Sequence, residues 1–236
     1  MSGLVSRWKW NGNGNDDADA NGCTVYDPLW VAGKIDQCLQ FRPNTDTTYA
    51  KTGLNANLNP TKVTVDGWWK PPASDPTEAG HNNQKIIWDK AYTSHSEPYN
   101  QYTVYVTGWT YKNIALRMAV GGVRKDCASA NNQWDWGGDW MHLACVYDGA
   151  QGRLYKNCVQ IASFSAAGNL SGYNTELYFG RWRNLGGGYY TYGFLDDVRV
   201  YNRALSVSEL TQNMNATNGG ITPQAMAKQR QMAALR

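Results

Sequence analysis

From Gly193 to Ser206 the chain reads Gly-Phe-Leu-Asp-Asp-Val-Arg-Val-Tyr-Asn-Arg-Ala-Leu-Ser, a strand that runs directly into a helix start. Phe194, Val198 and Val200 fall on one face and Asp197, Arg199 and Tyr201 on the other, the period of a half-buried strand. Asp196 falls on the apolar face. A carboxylate there needs backbone N–H groups, a cation or a basic side chain, because an unpaired buried charge is too costly to keep. Ser206-Val-Ser-Glu209 is a capping box, whose hydroxyl and carboxylate satisfy the first free N–H groups of a short helix. A strand of this kind needs a sheet already in place beside it, so the preceding residues must supply one.

They read as strands. Val63 to Lys70, Lys85 to Asp89 and Leu177 to Gly180 are apolar runs, and Thr47 to Ala50 is a short edge strand between loops. Tyr102, Val104 and Val106 alternate, as do Ile114, Leu116, Met118 and Val120, which makes an antiparallel pair around Gly108. Trp140 to Ile161 is a hairpin. No helical period appears before Ser206, which predicts an all-β, two-sheet antiparallel sandwich. With 236 residues, 42% of them hydrophobic, one sandwich of this size has core enough. The expected division is a sandwich domain over 1–212 and a tail over 213–236.

Composition removes several functions. A net charge of +3 with scattered basic residues lacks the footprint of a nucleic-acid binder. The first residues hold no apolar run long enough for a signal peptide, and no segment approaches a membrane span, so the chain as written is expected to start in a cytoplasm. Five cysteines fit no zinc spacing and are expected to be mostly free thiols. Cys23 with Cys38, or Cys145 with Cys158, would pair only in an oxidising compartment. Eleven Trp and fifteen Tyr against four Phe give rings with a polar handle, suited to strand packing and to stacking on sugars.

Five segments in order carry a family resemblance: Leu4 to Asn21, Gly33-Lys-Ile-Asp-Gln-Cys-Leu-Gln-Phe41, Val63-Thr-Val-Asp-Gly-Trp-Trp-Lys70, Trp140-Met-His-Leu-Ala-Cys-Val-Tyr-Asp-Gly149 with Leu154-Tyr-Lys-Asn157, and the closing stretch. Together they resemble the laminin G-like jelly rolls of the concanavalin A-like lectin and glucanase superfamily. The resemblance implies a jelly roll, and a structural calcium joining the first loop to the Asp of the closing strand; carried over by position, its ligands would be Asp17, Asn21 and Asp196. From the residues alone, Asn11 to Gly22 is either an oxygen-rich cation loop or a solvated turn. His142 matches a common family His whose expected job is a buried hydrogen bond. Trp68 matches the family's aromatic, and Trp69 replaces an aliphatic. Where the family commonly has Asn-Gly, this chain has Asn157-Cys158. Glycine takes positive φ at little cost and cysteine does not, so that turn is expected to be rebuilt.

Glucanases of the superfamily carry two neighbouring Glu, because a glycosidase needs an acid and a nucleophile or base. The four Glu here, at 78, 97, 176 and 209, are far apart in sequence, and Asp135 with Asp139 is the one remaining acidic pair of interest. His81, His95 and His142 accompany no Ser or Cys elbow, and Gly186 to Gly188 lacks the Lys-Ser/Thr of a phosphate loop. The reading is therefore a non-catalytic binding or adhesion module with carbohydrate as the default ligand, contacted through the loop aromatics Trp134, Trp136, Trp182, Tyr189 and Tyr190. A structural assembly protein that uses the jelly roll as scaffold is the alternative, and a glycoside hydrolase the second. The tail, with Lys228, Arg230 and Arg236 beside Met226, Met232 and Leu235, is expected to form a helix that docks on a protein partner or neighbouring subunit. A lectin-like domain without a secretion signal fits a particle component such as a phage capsid decoration or fibre protein, or a domain cut out of a larger secreted protein.

Overall fold

The computed structural model describes residues 2–42, 47–74, 84–91, 96–107, 111–183 and 189–216. Along them run β1 (Leu4–Trp8), β2 (Cys23–Tyr26), β3 (Trp30–Ala32), β4 (Gln37–Phe41), β5 (Tyr49–Thr52), β6 (Val63–Lys70), β7 (Lys85–Ala91) and β8 (Asn100–Val106). Then come β9 (Ile114–Val120), β10 (Val123–Ala128), β11 (Met141–Tyr147), β12 (Gln151–Lys156), β13 (Val159–Ser165), β14 (Leu177–Phe179), β15 (Gly193–Tyr201) and α1 (Val207–Met214).

The strands form two antiparallel sheets. One has eight strands in the order β13-β12-β11-β6-β15-β4-β3, with β1 paired to β15 as well; the other has seven, β10-β9-β8-β7-β14-β5-β2. Residues that alternate in sequence meet between the sheets: Val104, Val106, Ile114, Leu116, Met118, Val63, Val65, Leu143 and Cys145 are all buried in one core. Phe179 is held edge-on by two indoles there, at 5.1 Å from Trp8 and 5.2 Å from Trp10. Among the described residues no helix is long and apolar enough to cross a membrane.

The closing strand departs from simple alternation. Its pairing with β6 shifts register between Asp196 and Arg199, and Asp197 takes φ +46°, so one residue is added as a β-bulge. Leu195, Val198 and Val200 therefore enter the core, while Phe194 turns to the other face and meets Trp140 at 6.2 Å. Asp196 pairs in register with Trp68 on that outer face and is fully buried there. The expected placement of Phe194 and Asp196 on the core face is thus corrected by the bulge. After β15 the capping box forms as drawn: Ser206 accepts from the Glu209 N–H, and Glu209 accepts from the Ser206 N–H at 2.9 Å. Helix α1 lies on the outer face of the eight-stranded sheet, with Leu210 packed on Ala144, Val146 and Tyr155.

The Asn157-Cys158 turn is not rebuilt. Both residues take positive φ, +50° and +63°, and Lys156 pairs directly with Val159, so the two-residue hairpin turn is kept with cysteine in a glycine-like conformation. The expected tail is described only at its start. Asn213 belongs to α1, is buried, and donates from Nδ2 to Asp66. Residues 217–236 lie outside the described residues, as do Glu78, His81, His95 and Gly186 to Gly188.

Gly193 opens the closing strand at φ +102°, and a β-carbon there would lie 2.2 Å from the Lys70 carbonyl oxygen. Since that neighbour is backbone in a central strand, it cannot move aside. Gly193→Ala is expected to cost at least about 2 kcal/mol in urea unfolding at unchanged m-value.

Candidate functional site

Strand register builds a two-row surface on the face of the seven-stranded sheet that points away from the core. One row crosses four strands as Asp89, Thr103, Arg117 and Asp126, and the next runs Ile86, Tyr105 and Ala115. The apolar row is capped by two rings that arrive from the segment after β14: Trp182 and Tyr189 pack against Ile86, Tyr105 and Ala115. These rings meet edge to face at 5.0 Å and 66°, and Tyr99 approaches Trp182 at 6.1 Å and 75°. Tyr99, at φ +59°, is carried there by the turn before β8, in which its N–H donates to the Ser96 carbonyl at 3.1 Å.

Between these rings and β10 lies a cleft of about 260 Å³ lined by Gln84, Tyr99, Arg117, Arg124, Trp182 and Tyr189. Its cations are held in place. The Arg117 guanidinium lies 5.3 Å over the Tyr105 ring and its Nε bonds Asp126 at 2.9 Å. Arg124 binds Asp126 through Nε and Glu97 through Nη1 at 2.8 Å. The cleft thus offers fixed aromatic edges and faces beside fixed N–H donors, a chemistry suited to a ligand with both C–H faces and hydroxyl or carboxylate oxygens.

The five aromatics expected at the site are not brought together. Trp182 and Tyr189 share the cleft. Tyr190 stands nearby in a second group, where the Arg181 guanidinium lies 5.4 Å from its ring and 4.3 Å from that of Tyr49, itself stacked on Tyr26 at 4.3 Å. Trp134 is only 6% exposed and belongs to the core, 5.8 Å from Trp69 and 4.9 Å from Trp136. Its loop is pinned on both sides, by the Gln133 N–H to the Lys112 carbonyl at 2.9 Å and the Gly137 N–H to the Pro72 carbonyl at 2.8 Å. Trp136, half buried, packs on the same core. Four lining residues went unnamed by the sequence reading: Gln84, Tyr99, Arg117 and Arg124. Arg117 had a signal, since it sits alone among apolar neighbours on the outward side of β9.

The carboxylates sort differently. Asp89 is fully buried, its Oδ1 accepting from Thr103 and Asn100 and its Oδ2 without a hydrogen-bond partner; burial pushes its pKa up to about 7 against those bonds. Asp135 is exposed, and Lys112 holds its carboxyl below the usual range; Asp139 is exposed too. For calcium, Asp17 Oδ2 is engaged by Lys9 at 2.5 Å, and Asn21 Oδ1 accepts from Asn55 Nδ2. Asp196 accepts the Ile35 N–H at 2.8 Å and keeps an unpartnered Oδ1. Among the described residues no three Asp, Glu, His or Cys are grouped to hold a metal. The three residues named for calcium belong to no such group, and Asp17 and Asn21 each have one side-chain oxygen engaged, by Lys9 and by Asn55. All five cysteines are free thiols.

A family model described as Concanavalin A-like lectin/glucanases superfamily matches residues 44–211. The chain belongs to this superfamily. No curated protein matches it in sequence. Among solved structures, this superfamily member is similar to domain 4 of AbnA, a GH43 extracellular arabinanase from Geobacillus stearothermophilus, in complex with arabinotriose. The TM-score is 0.59 at 17% identity over 89% of this chain and 97% of that one. It is also similar to the binding domain of Paraclostridial Mosquitocidal Protein 1, with TM-score 0.66 at 16% identity over 90% of this chain and 52% of that. The botulinum neurotoxin serotype G binding domain gives TM-score 0.66 at 12% identity over 88% and 50%. The superfamily domain thus spans about half of each toxin binding domain, and at these identities the likeness is one of fold.

Two outcomes separate core from cleft. Trp134→Ala is expected to lose about 3–5 kcal/mol of stability, as truncation of a buried ring does, read by chemical denaturation. Asp89 sets a pH dependence. An unfolded carboxyl releases its proton near 4 whereas the buried one keeps it to about 7, so the native state binds the extra proton in between. Stability should fall as pH rises from 4 to 7 and level off above. Asp89→Asn should flatten that slope and raise stability at pH 8 relative to the parent, measured by urea unfolding at pH 5 and pH 8.

Proposed function

We propose that this chain is a non-catalytic binding module whose ligand is a carbohydrate, held in the cleft between Trp182, Tyr189 and Tyr99. The observation that carries the reading is the pairing of half-buried aromatic rings with restrained guanidinium groups on the rigid face of a sheet. A sugar ring presents an apolar C–H face that stacks on an aromatic ring, and a rim of hydroxyls that accept from N–H donors. Because Asp126 and Glu97 already hold Arg117 and Arg124, little side-chain freedom is lost when a ligand arrives. The likeness to a domain solved with arabinotriose supports the ligand class, and the likeness to two toxin binding domains supports a role in surface recognition.

A binding role without catalysis is favoured by the same carboxylates. Glycoside hydrolysis needs a carboxylic acid to protonate the leaving oxygen and a second carboxylate across the sugar. At the rim of the cleft Asp126 gives both carboxylate oxygens to Arg117 and Arg124, and Glu97 gives one to Arg124.

Titration calorimetry with a panel of neutral oligosaccharides, arabinotriose included, tests the proposal. Trp182→Ala and Tyr189→Ala are each expected to weaken binding about tenfold, the worth of one stacked ring, at a melting temperature close to the parent's. Binding that ignores both substitutions would move the ligand elsewhere on the molecule. Cleavage of any of these sugars by the parent protein would end the non-catalytic reading.

A further inference from the structure

The cleft between the aromatic rings and β10 has walls of a single charge. Arg117 and Arg124 line it as cations, Gln84, Tyr99, Trp182 and Tyr189 are neutral, and no carboxylate is among the lining residues. The acids that hold the two arginines lie outside that lining. Asp126 takes the Nε edge of both guanidinium groups, Oδ1 from Arg117 at 2.9 Å and Oδ2 from Arg124, and Glu97 takes Nη1 of Arg124 at 2.8 Å. Among the described residues, neither the two Nη groups of Arg117 nor Nη2 of Arg124 donates to a carboxylate.

Exposure decides how far the acids cancel the cations. One carboxylate shared between two guanidinium groups leaves a positive charge over, and Glu97, which would offset it, is 59% exposed, so water and salt screen it. Asp89 stands beyond Thr103 in the same cross-strand row and does not line the cleft. Arg117 is only 7% exposed, and the Tyr105 ring at 5.3 Å together with the Asp126 bond fixes its plane before any ligand arrives. A guanidinium edge carrying two parallel N–H groups matches the two oxygens of a carboxylate, and it forms charge-assisted bonds there that a hydroxyl does not offer.

We infer that the saccharide taken by this cleft is an acidic one, a uronic acid or another carboxylated sugar, whose ring stacks on Trp182 or Tyr189 and whose carboxylate meets the Nη groups of Arg117 and Arg124. The inference rests on the carbohydrate reading above and narrows it. In such a sugar the carboxylate is attached to the ring, so stacking on the aromatic wall also carries the anion to the arginine wall. Asp126 and Glu97 act as positioning residues, since they orient the two guanidinium groups and leave only the remaining N–H groups for a ligand. A neutral sugar keeps the stacking and forgoes the charge-assisted bonds, which are about twice as strong as neutral ones.

Titration calorimetry on the full chain compares trigalacturonate with its methyl ester, which keeps the sugar rings and removes the charge, and sialyllactose with lactose. In at least one pair the acid is expected to bind about tenfold tighter than its neutral counterpart at low salt, and the pair that shows it identifies the sugar. Most of that margin should be lost at about 0.5 M salt, a readout that needs no variant. Arg124→Gln, checked for an unchanged melting transition, should bring the acid down to the affinity of its neutral form. Trp182→Ala should weaken acid and neutral forms alike. Equal affinity within both pairs, or binding of arabinotriose but of neither acid, would overturn the inference and leave the carbohydrate reading standing. A margin that survives in a folded Arg124→Gln protein would overturn it too, because the charge is then read elsewhere. Absence of binding by every sugar tested would end both.

Discussion

A chain of buried charges fastens the eight-stranded sheet at its centre. Arg7 of β1 binds Asp197 at 2.7 Å, Asp197 also binds Arg199, and Arg199 reaches Asp66 of β6 and the Asn213 carbonyl of α1 at 3.6 and 3.2 Å. Apart from Arg7, whose side chain is 14% exposed, these charged side chains are 4% exposed or less, so each depends on the others for the solvation it has lost. Removing one partner from such a set costs about 3–5 kcal/mol, far more than the intact set is worth over apolar packing. The value of the arrangement is specificity. It ties the first strand, the last strand, a central strand and the helix to a single register, and it requires the bulge that turns Asp197 outward at φ +46°.

That bulge also explains where the sequence misleads. Alternation is reliable while the period of two is unbroken, and Tyr102 to Val106 and Ile114 to Val120 enter the core as their pattern says. One inserted residue reverses every assignment on its far side, which is why Phe194 and Asp196 exchange faces with their expectation. The capping box was fully legible because all its partners lie within four residues. The aromatic loops were legible only as a composition. Trp134 and Trp182 have similar neighbours in sequence, and what separates a core ring from a cleft ring is the path of a loop relative to distant strands. Arg124 joins the cleft through a β9–β10 register that spacing alone does not provide.

The two outer faces divide the chemistry between them. On the seven-stranded sheet, rings and arginines line an open cleft, and the charges are shared with carboxylates at its rim. On the eight-stranded sheet, a helix covers the charges, and the His142 imidazole is buried with them. Both arrangements follow from the same alternation, since each strand that sends an apolar side chain inward sends its neighbour to one of these faces.

The pairing of β1 with β15 has a consequence of its own. Leu4 stands opposite Tyr201, Asn202 donates to the Gly3 carbonyl at 2.9 Å, and Arg203 donates to that of Ser2 at 2.9 Å. Entry to and exit from the sandwich therefore lie side by side, as two adjacent hems of one sheet. Loss of either hem would strip backbone partners from the other, so the first strand and the end of the closing strand are expected to open together as one unit.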